Sequence, residues 1–295
     1  MKTRTLIIGG GPAGLSAALT LSRSLHPCIV LDSVAPARNH SCKHMHGVPG
    51  FENSSPTQFR ETLRREIDAY GFTIFAEGQA AGAQRTAEGG FFVSLTNGET
   101  IEAESLLLAC GKEDCLPEVN GFEQFWGSSV FYCPFCDGYE VRHKPWGVVV
   151  NRPEMLDAAE IYLKWASSLR FFIEPHIELA AQREAELVQL GVDLHLAKLQ
   201  ALKGDGAQLR QVRLVDGTSA ACDALVWWPQ QQHVPFVRSL ELDLTSTGDV
   251  DVGSDYETTR AGIYATGDMI YTFHQNVQGA LFRGAEAAVS ITVNS

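Results

Sequence analysis

Cys133 and Cys136 are separated by two residues in the run Cys133-Pro134-Phe135-Cys136, a spacing at which two sulfurs can close a small ring as a disulfide. The chain around them is rich in Gly, Phe and Tyr and predicts a helix start. The positive end of a helix favours a thiolate, which makes one sulfur a nucleophile at neutral pH. Two other readings fit two cysteines so placed. Half of a zinc site would need a second Cys or His pair at comparable spacing, and only His44-x-His46, far upstream, offers one; the other reading is two inert core cysteines. The remaining five, Cys28, Cys42, Cys110, Cys115 and Cys222, are scattered. They make a poor disulfide framework and are expected to be reduced, several of them buried as small apolar residues. Asp137, with Gly138 behind it, reads on its own as a turn or helix-cap residue.

A second chemistry-bearing pattern opens the chain. Gly9-x-Gly11-x-x-Gly14, filled in as Gly9-Gly10-Gly11-Pro12-Ala13-Gly14, lies between the apolar strand Thr5-Leu6-Ile7-Ile8 and a helix over 15–25. Asp32 ends the next strand, Cys28-Ile29-Val30-Leu31-Asp32. In such a β-α-β unit the first glycine permits the tight turn, the second lets backbone approach a pyrophosphate, and the third lets helix and strand pack closely. The phosphates then face the positive end of a helix, and Asp32 can accept from a ribose hydroxyl. A plain Gly-rich turn is the alternative, against which strand, helix and acid all stand in place.

The elements that must position these groups read as two α/β stretches. In the first, a polar amphipathic helix is predicted over 58–70, strands flank the Asn97-Gly98 hairpin turn, and the buried strand Ser105 to Ala109 runs into a turn at Cys110-Gly111. In the second, a strand at 146–150 leads to a helix over 155–167. A strand at 169–173, a helix over 177–190 and short strands near 192–195, 211–215 and 224–228 follow. Trp227 and Trp228 are read as core residues more than as a ligand cover. A return segment carries Gly262-Ile263-Tyr264-Ala265-Thr266-Gly267-Asp268 into a last helix from about Asn276. Apolar residues make up 45% and charged residues 20% of the 295 residues, the balance of a packed globular protein. The net charge of −12 argues against nucleic acid or an anionic membrane surface as partner, since either would need a basic patch. No apolar run approaches a membrane span, and an untargeted cytoplasmic protein is expected.

Three motifs in this order, Gly9 to Gly14, Cys133-Pro134-Phe135-Cys136-Asp137-Gly138 and Ile263-Tyr264-Ala265-Thr266-Gly267-Asp268, resemble the low-molecular-weight thioredoxin reductases over nearly the whole chain. The resemblance implies an α/β fold of two Rossmann-like (three-layer ββα) nucleotide-binding domains, the second inserted in the first. An FAD-binding domain would take residues 1–112 and 236–295, and an NADPH-like domain carrying the cysteines would take 113–235. It also implies FAD as cofactor, with Asp268 on the ribityl chain and Gln275 near the flavin pyrimidine ring. Gly9, Gly11, Pro12, Ala13, Gly14 and Asp32 are expected to hold it together with Asn39, Gly111 and Gly267, and His44, His46 and His274 are candidate bases or flavin contacts, with an ordinary polar loop as the alternative. By the same resemblance Cys136 lies nearer the flavin, Cys133 meets the external partner, Asp137 serves as acid and base, and the protein is a homodimer; from the cysteine and histidine spacing, no metal is expected.

The sequence departs from that family where NADPH should bind. The strand Val148-Val149-Val150 runs into Asn151-Arg152-Pro153-Glu154-Met155-Leu156-Asp157 with no glycine, so side chains occupy the place where backbone should touch pyrophosphate. The next strand ends at Glu174, which would repel a 2′-phosphate. With ordinary nicotinamide binding lost, the stretches Arg38-Asn39, His44-Met45-His46-Gly47 and Phe131 to Glu140 look closest to the gliotoxin-type and holomycin-type dithiol oxidases, which turn thiols into disulfides and return electrons to oxygen. Asp137 stands where several of those carry His. The expected substrate is a small dithiol or a protein thiol pair. The competing readings are a thioredoxin reductase-type enzyme fed by ferredoxin, a second flavin or an atypical nicotinamide mode, and a non-catalytic flavin-binding partner protein.

Overall fold

The computed structural model describes residues 1–33 and 37–294. The chain forms two compact units. The first comprises Met1–His40, Val48–Asp114 and the chain from Gln231 onward; the second comprises Ser41–Gly47 and Cys115–Gln230.

In the first unit β1 (Lys2–Ile8), α1 (Pro12–Arg23), β2 (Cys28–Asp32), α2 (Pro56–Asp68), β3 (Thr73–Glu77), β4 (Ala80–Arg85), β5 (Phe91–Leu95) and β6 (Thr100–Leu108) follow one another. They build a sheet of order β3-β2-β1-β6-β5-β4. β1, β2 and β3 run parallel, and β1 also lies parallel to β6, with Ile8 opposite both Leu31 and Leu108. β5 and β6 are antiparallel. The first half of β6 holds β5, and its last residues hold the strand Ile263–Ala265. Leu6, Ile7, Val30, Leu106, Leu107 and Leu108 are fully buried, which is why Leu6-Ile7-Ile8, Ile29-Val30-Leu31 and Leu106-Leu107-Leu108 read as unbroken apolar runs and not as alternating ones. The C-terminal helix Val277–Asn294 lies against α1 so closely that a Cβ on Gly284 would stand 2.1 Å from the Ala13 carbonyl oxygen. α2 begins two residues before the predicted 58–70, with Ser55 as its cap: Ser55 and Gln58 close a reciprocal capping box around Pro56.

The second unit holds a five-stranded, all-parallel sheet in the order Val192–His195, Ser168–Ile173, Pro145–Val150, Ala224–Val226, Val130–Phe131. A three-stranded antiparallel sheet, Leu199–Asp205, Gln208–Leu214 and Ser219–Ala221, belongs to the same unit. Trp146, Phe171 and Phe172 are fully buried in its cores. The helix predicted over 155–167 is replaced by a 3₁₀ turn at Pro153–Ala158 and one short helix at Ala159–Tyr162. Chain beyond Tyr162 is drawn off: the His143 N–H takes the Trp165 carbonyl at 2.6 Å, and the Trp165 ring stacks on Trp146 at 6.2 Å. The helix predicted from 177 starts at Ala181, after the turn in which the Ile177 N–H returns to the Glu174 carbonyl.

The expected boundaries place 41–47 in the first domain; in the structure this segment belongs to the second compact unit. That segment packs in the second unit, where a Cβ on Gly127 would stand 2.4 Å from Ser41 Oγ and where His46 meets Glu140.

Candidate active site and cofactor crevice

Cys133 and Cys136 are joined in a disulfide, with Cα atoms 5.3 Å apart. The strand Val130–Phe131, in register with Leu225 and Val226, delivers the chain to this point. Cys133 then stands in extended conformation as the cap of a single helical turn, Pro134–Asp137. Its carbonyl accepts from the N–H groups of Cys136 and Asp137, both at 3.1 Å, and Gly138 N–H returns to the Pro134 carbonyl at 2.9 Å. Gly138 is demanded by packing, since a Cβ there would come 2.3 Å from the Pro134 oxygen and 2.9 Å from Trp146. Cys133 is buried at 1% exposure, whereas Cys136 is half-buried. Around the turn, Phe135 meets Trp165 edge-on at 5.5 Å, Phe131 meets Trp146, and Tyr132 meets Trp228. Trp227 packs on Phe122 in the core.

Burial pushes the Asp137 carboxyl up to about 6, against the opposing pull of His46 and with the help of Glu140. A carboxyl so placed, one residue beyond Cys136, holds a proton in part at neutral pH and can pass it to a departing thiolate. Burial also pushes the thiols of Cys28, Cys110 and Cys222 up to about 11, 12 and 12, which leaves them protonated and poor nucleophiles.

The first unit carries the glycine crevice. Gly9 has φ +110° and lies so close to β6 that a Cβ would stand 2.6 Å from the Ala109 oxygen; Gly14 leaves only 2.0 Å to the Gly9 oxygen. A Cβ on Gly11 would meet nothing within 4 Å. Two of the three glycines therefore serve the packing of strand on helix, and Gly11 faces open space. Pro12 opens α1, whose extended cap residue Gly11 brings no side chain to the first turn. Beside it a small cleft of about 70 Å³ is lined by Gly9, Leu31, Ser33, Gly78 and Gln79, at the carboxyl ends of the parallel strands where such folds take ligands.

Asp32 accepts from the Gly10 N–H at 3.0 Å on one oxygen, and from Arg64 at 2.9 Å and from Arg60 on the other. Gly267, with φ +72°, sits over Ala13 and leads into Asp268. Burial pushes the Asp268 carboxyl above its ordinary range, and Arg38 opposes the shift. One of its oxygens lies 3.2 Å from Arg38; the other, Oδ1, is buried with no hydrogen-bond partner among the described residues, as is Thr266 Oγ1. An acceptor of that kind fits a hydroxylated chain. Arg38 also donates to Asp114 at 2.8 Å and to Gln275 at 2.7 Å, and Gln275 exchanges a reciprocal amide pair with Gln231, 3.0 Å each way. His274 Nδ1 lies 3.0 Å from Asn276 Nδ2. Asn39 stands half-buried in the turn beside Arg38, and Gly111, at φ +65°, turns the chain after β6. His46 lies in the second unit, 3.7 Å from Glu140.

The sequence did not single out Asp114, Gln231, Arg60, Arg64 or Glu140 as site residues. The i, i+4 spacing of Arg60 and Arg64 on an amphipathic helix was the available signal; nothing local marks Asp114 or Gln231, which lie at the chain's crossings into and out of the second unit.

The second unit's strand end is built differently. After Val150 the backbone of Arg152 is extended, and Pro153 opens a 3₁₀ turn. Asn151 Nδ2 donates to the Trp228 carbonyl at 2.7 Å, the Arg152 guanidinium lies 5.5 Å over the Trp228 ring, and Arg183 donates to the Leu156 carbonyl at 2.7 Å. Glu174 closes the neighbouring strand, 3.4 Å from His176. No glycine cradle is formed there, and the helix that follows spans only Ala159–Tyr162, too short to gather the dipole a pyrophosphate would need.

A parallel α/β chain with a glycine crevice in one unit and a Cys-x-x-Cys disulfide in the other defines an oxidoreductase acting on thiols and disulfides. A family model, pyridine nucleotide-disulphide oxidoreductase, matches residues 3–151, and the chain belongs to that family. It is 31% identical over 289 residues to thioredoxin reductase sirT of Leptosphaeria maculans, covering 92% of this chain and 88% of that protein. Among solved structures it is similar to an oxidoreductase from Agrobacterium tumefaciens, with TM-score 0.88 and 31% identity over 99% of this chain and 97% of that one. It is also similar to HlmI, with TM-score 0.89 and 26% identity over 98% and 91%. These likenesses bear out the resemblance and the two-domain Rossmann-type fold read from the sequence. No described helix is long and apolar enough to cross a membrane.

Proposed function

We propose that this protein is an FAD-dependent dithiol oxidase. The observation that carries the reading is a contrast: a disulfide beside a carboxyl raised to about 6, in a unit whose own nucleotide loop is closed by Asn151, Arg152 and Pro153. A substrate thiolate attacks one sulfur of the Cys133–Cys136 bond, and that bond breaks. Asp137 protonates the departing cysteine thiolate. The second substrate thiol then displaces the mixed disulfide, so the substrate leaves as a disulfide and the cysteine pair holds two electrons and two protons. Bound FAD would accept that electron pair and hand it to oxygen, giving peroxide.

The residues that would hold FAD are the Gly11 backbone at the pyrophosphate, Asp32 at the ribose and the unpartnered Asp268 oxygen at the ribityl chain, with the amide of Gln275 at the ring. Asn39, Gly111 and His274 line the same reading, as do Pro12 and Ala13 in the first turn of α1. The family resemblance adds a homodimer, the sequence reading adds a cytoplasmic location, and the substrate is a small dithiol or a protein thiol pair.

The test is anaerobic absorbance of the purified yellow protein. A dithiol bleaches the flavin band and air restores it with release of peroxide, while NADH and NADPH leave it oxidised. A flavin that stays oxidised with every dithiol overturns the reading. Bleaching by NADPH or by reduced ferredoxin reverses the direction in favour of a reductase.

A further inference from the structure

His46 belongs to the unit that carries the cysteine pair. It arrives on the short segment Ser41–Gly47, which belongs to the unit of the cysteines although the chain on both sides belongs to the other. Its ring is well covered, at 14% side-chain exposure, and its Nε2 lies 3.7 Å from an oxygen of Glu140, which is 42% exposed. Glu140 follows Asp137 by three residues, within the run of turns over 138–143. The charged groups of the described residues that act on the Asp137 carboxyl are His46, from the 41–47 segment, and Glu140, from its own turn; they act in opposite directions.

We propose that His46 and Glu140 are positioning residues for the thiol chemistry: Glu140 holds the imidazole against the turn that carries Asp137, and the balance of the two charges decides how readily Asp137 gives its proton to a departing cysteine thiolate. The inference rests on the disulfide reading above and assigns His46 to the cysteines. In the exchange, the incoming thiol loses its proton and its sulfur bonds to one cysteine sulfur. The S–S bond breaks, and the cysteine thiolate released takes one proton from Asp137, which regains one from the second substrate thiol; the thiolate so formed displaces the mixed disulfide, and the second cysteine leaves as a thiolate that takes from solvent the proton the first thiol gave to it. Two hydrogens leave the substrate and two arrive on the cysteines. An imidazolium near Asp137 favours the carboxylate and so the uptake half; the Glu140 carboxylate favours the acid and so the delivery half. A lone Asp137 would be set by burial alone. Here an exposed carboxylate and a covered imidazole adjust it.

The test needs neither turnover nor a known substrate. The cysteine pair of the intact protein is reduced, and its alkylation by iodoacetamide is followed from pH 5 to 9 by mass spectrometry at Cys133 and Cys136. The inflection lost in Asp137→Asn identifies the Asp137 wave. His46→Gln removes the imidazole and is expected to move that wave upward by about one pH unit. Glu140→Gln, which keeps an amide oxygen for the imidazole, is expected to move it downward, and the double variant to return it toward the wild-type position. Shifts of both single variants in one direction, or no shift in either, overturn the proposal, because a merely structural role predicts no opposed pair. Glu140 is exposed, so Glu140→Gln decides the matter alone should His46→Gln not fold. An enzyme that fails to oxidise any dithiol would sink the proposed function without moving these profiles.

Discussion

Asp137→Asn should make the protein more stable and less active, with a pH signature that separates the two effects. The Asp137 carboxyl is raised from 3.8 to about 6 in the folded state, chiefly by burial. A little over two units at about 1.4 kcal/mol each is about 3 kcal/mol, and because the side chain keeps some solvent, we take on the order of 2 kcal/mol as the penalty for the buried charge. The folded value lies above the unfolded one, so the folded state binds the proton more tightly and the sign is fixed by linkage. Above pH 6 both states are ionised and the whole penalty is present. It shrinks as pH falls from 6 toward 4, and below that both states are neutral and it is gone. The neutral amide avoids the penalty at every pH. Calorimetric melting of the oxidised protein at pH 8 is therefore expected to show Asp137→Asn higher by about 4 °C or more, with the gap narrowing below pH 6 and closing below about pH 4. The same variant, without a proton to give, should slow disulfide exchange with a dithiol by roughly 10²-fold to 10⁴-fold. A variant that melts lower than wild type at pH 8, or whose gap does not close in acid, refutes the reasoning that burial drives the shift.

Gly11→Ala should fold and melt normally but bind little flavin, measured as the ratio of 450 to 280 nm absorbance, since its Cβ meets no protein atom. Gly14→Ala, whose Cβ would stand 2.0 Å from the Gly9 oxygen, should lower stability beyond the usual 0.5–3 kcal/mol range of point changes, read by urea unfolding. Asp268→Leu, which removes the buried unpartnered oxygen, should weaken flavin retention on dialysis at least tenfold; unchanged retention would sink the assignment of that oxygen to the ribityl chain. Cys133→Ser and Cys136→Ser should each keep bound flavin while losing dithiol-dependent peroxide formation.

The sequence was most legible where a local rule governs a few residues. Glycines at 9, 11 and 14 between an apolar strand and a helix demand a tight turn wherever the chain goes next, and two cysteines two residues apart can reach each other without help from the fold. The missing glycines after Val150 were legible for the same reason. What local reasoning missed depends on partners distant in sequence. The helix expected over 155–167 has adequate propensity, yet Trp165 is claimed by Trp146 and by the His143 backbone, a tertiary override of local preference. Asp32 was found as the acid at a strand end, but its two arginines belong to a helix 28 and 32 residues later. His46 was read as a base or a flavin contact, and its 3.7 Å approach to Glu140, on a segment far along the chain, could not be read locally.

The path of the backbone around Ser41–Gly47 bears on any attempt to take the molecule apart. Cutting the gene at the obvious borders would yield a contiguous 115–230 piece that keeps both sulfurs, Asp137 and Glu140 yet lacks the imidazole. Such a miniature would retain the redox bond while having lost one of the two dials on its acid. Transplanting the chemistry onto another scaffold means carrying over a seven-residue strap along with the cysteine-bearing module.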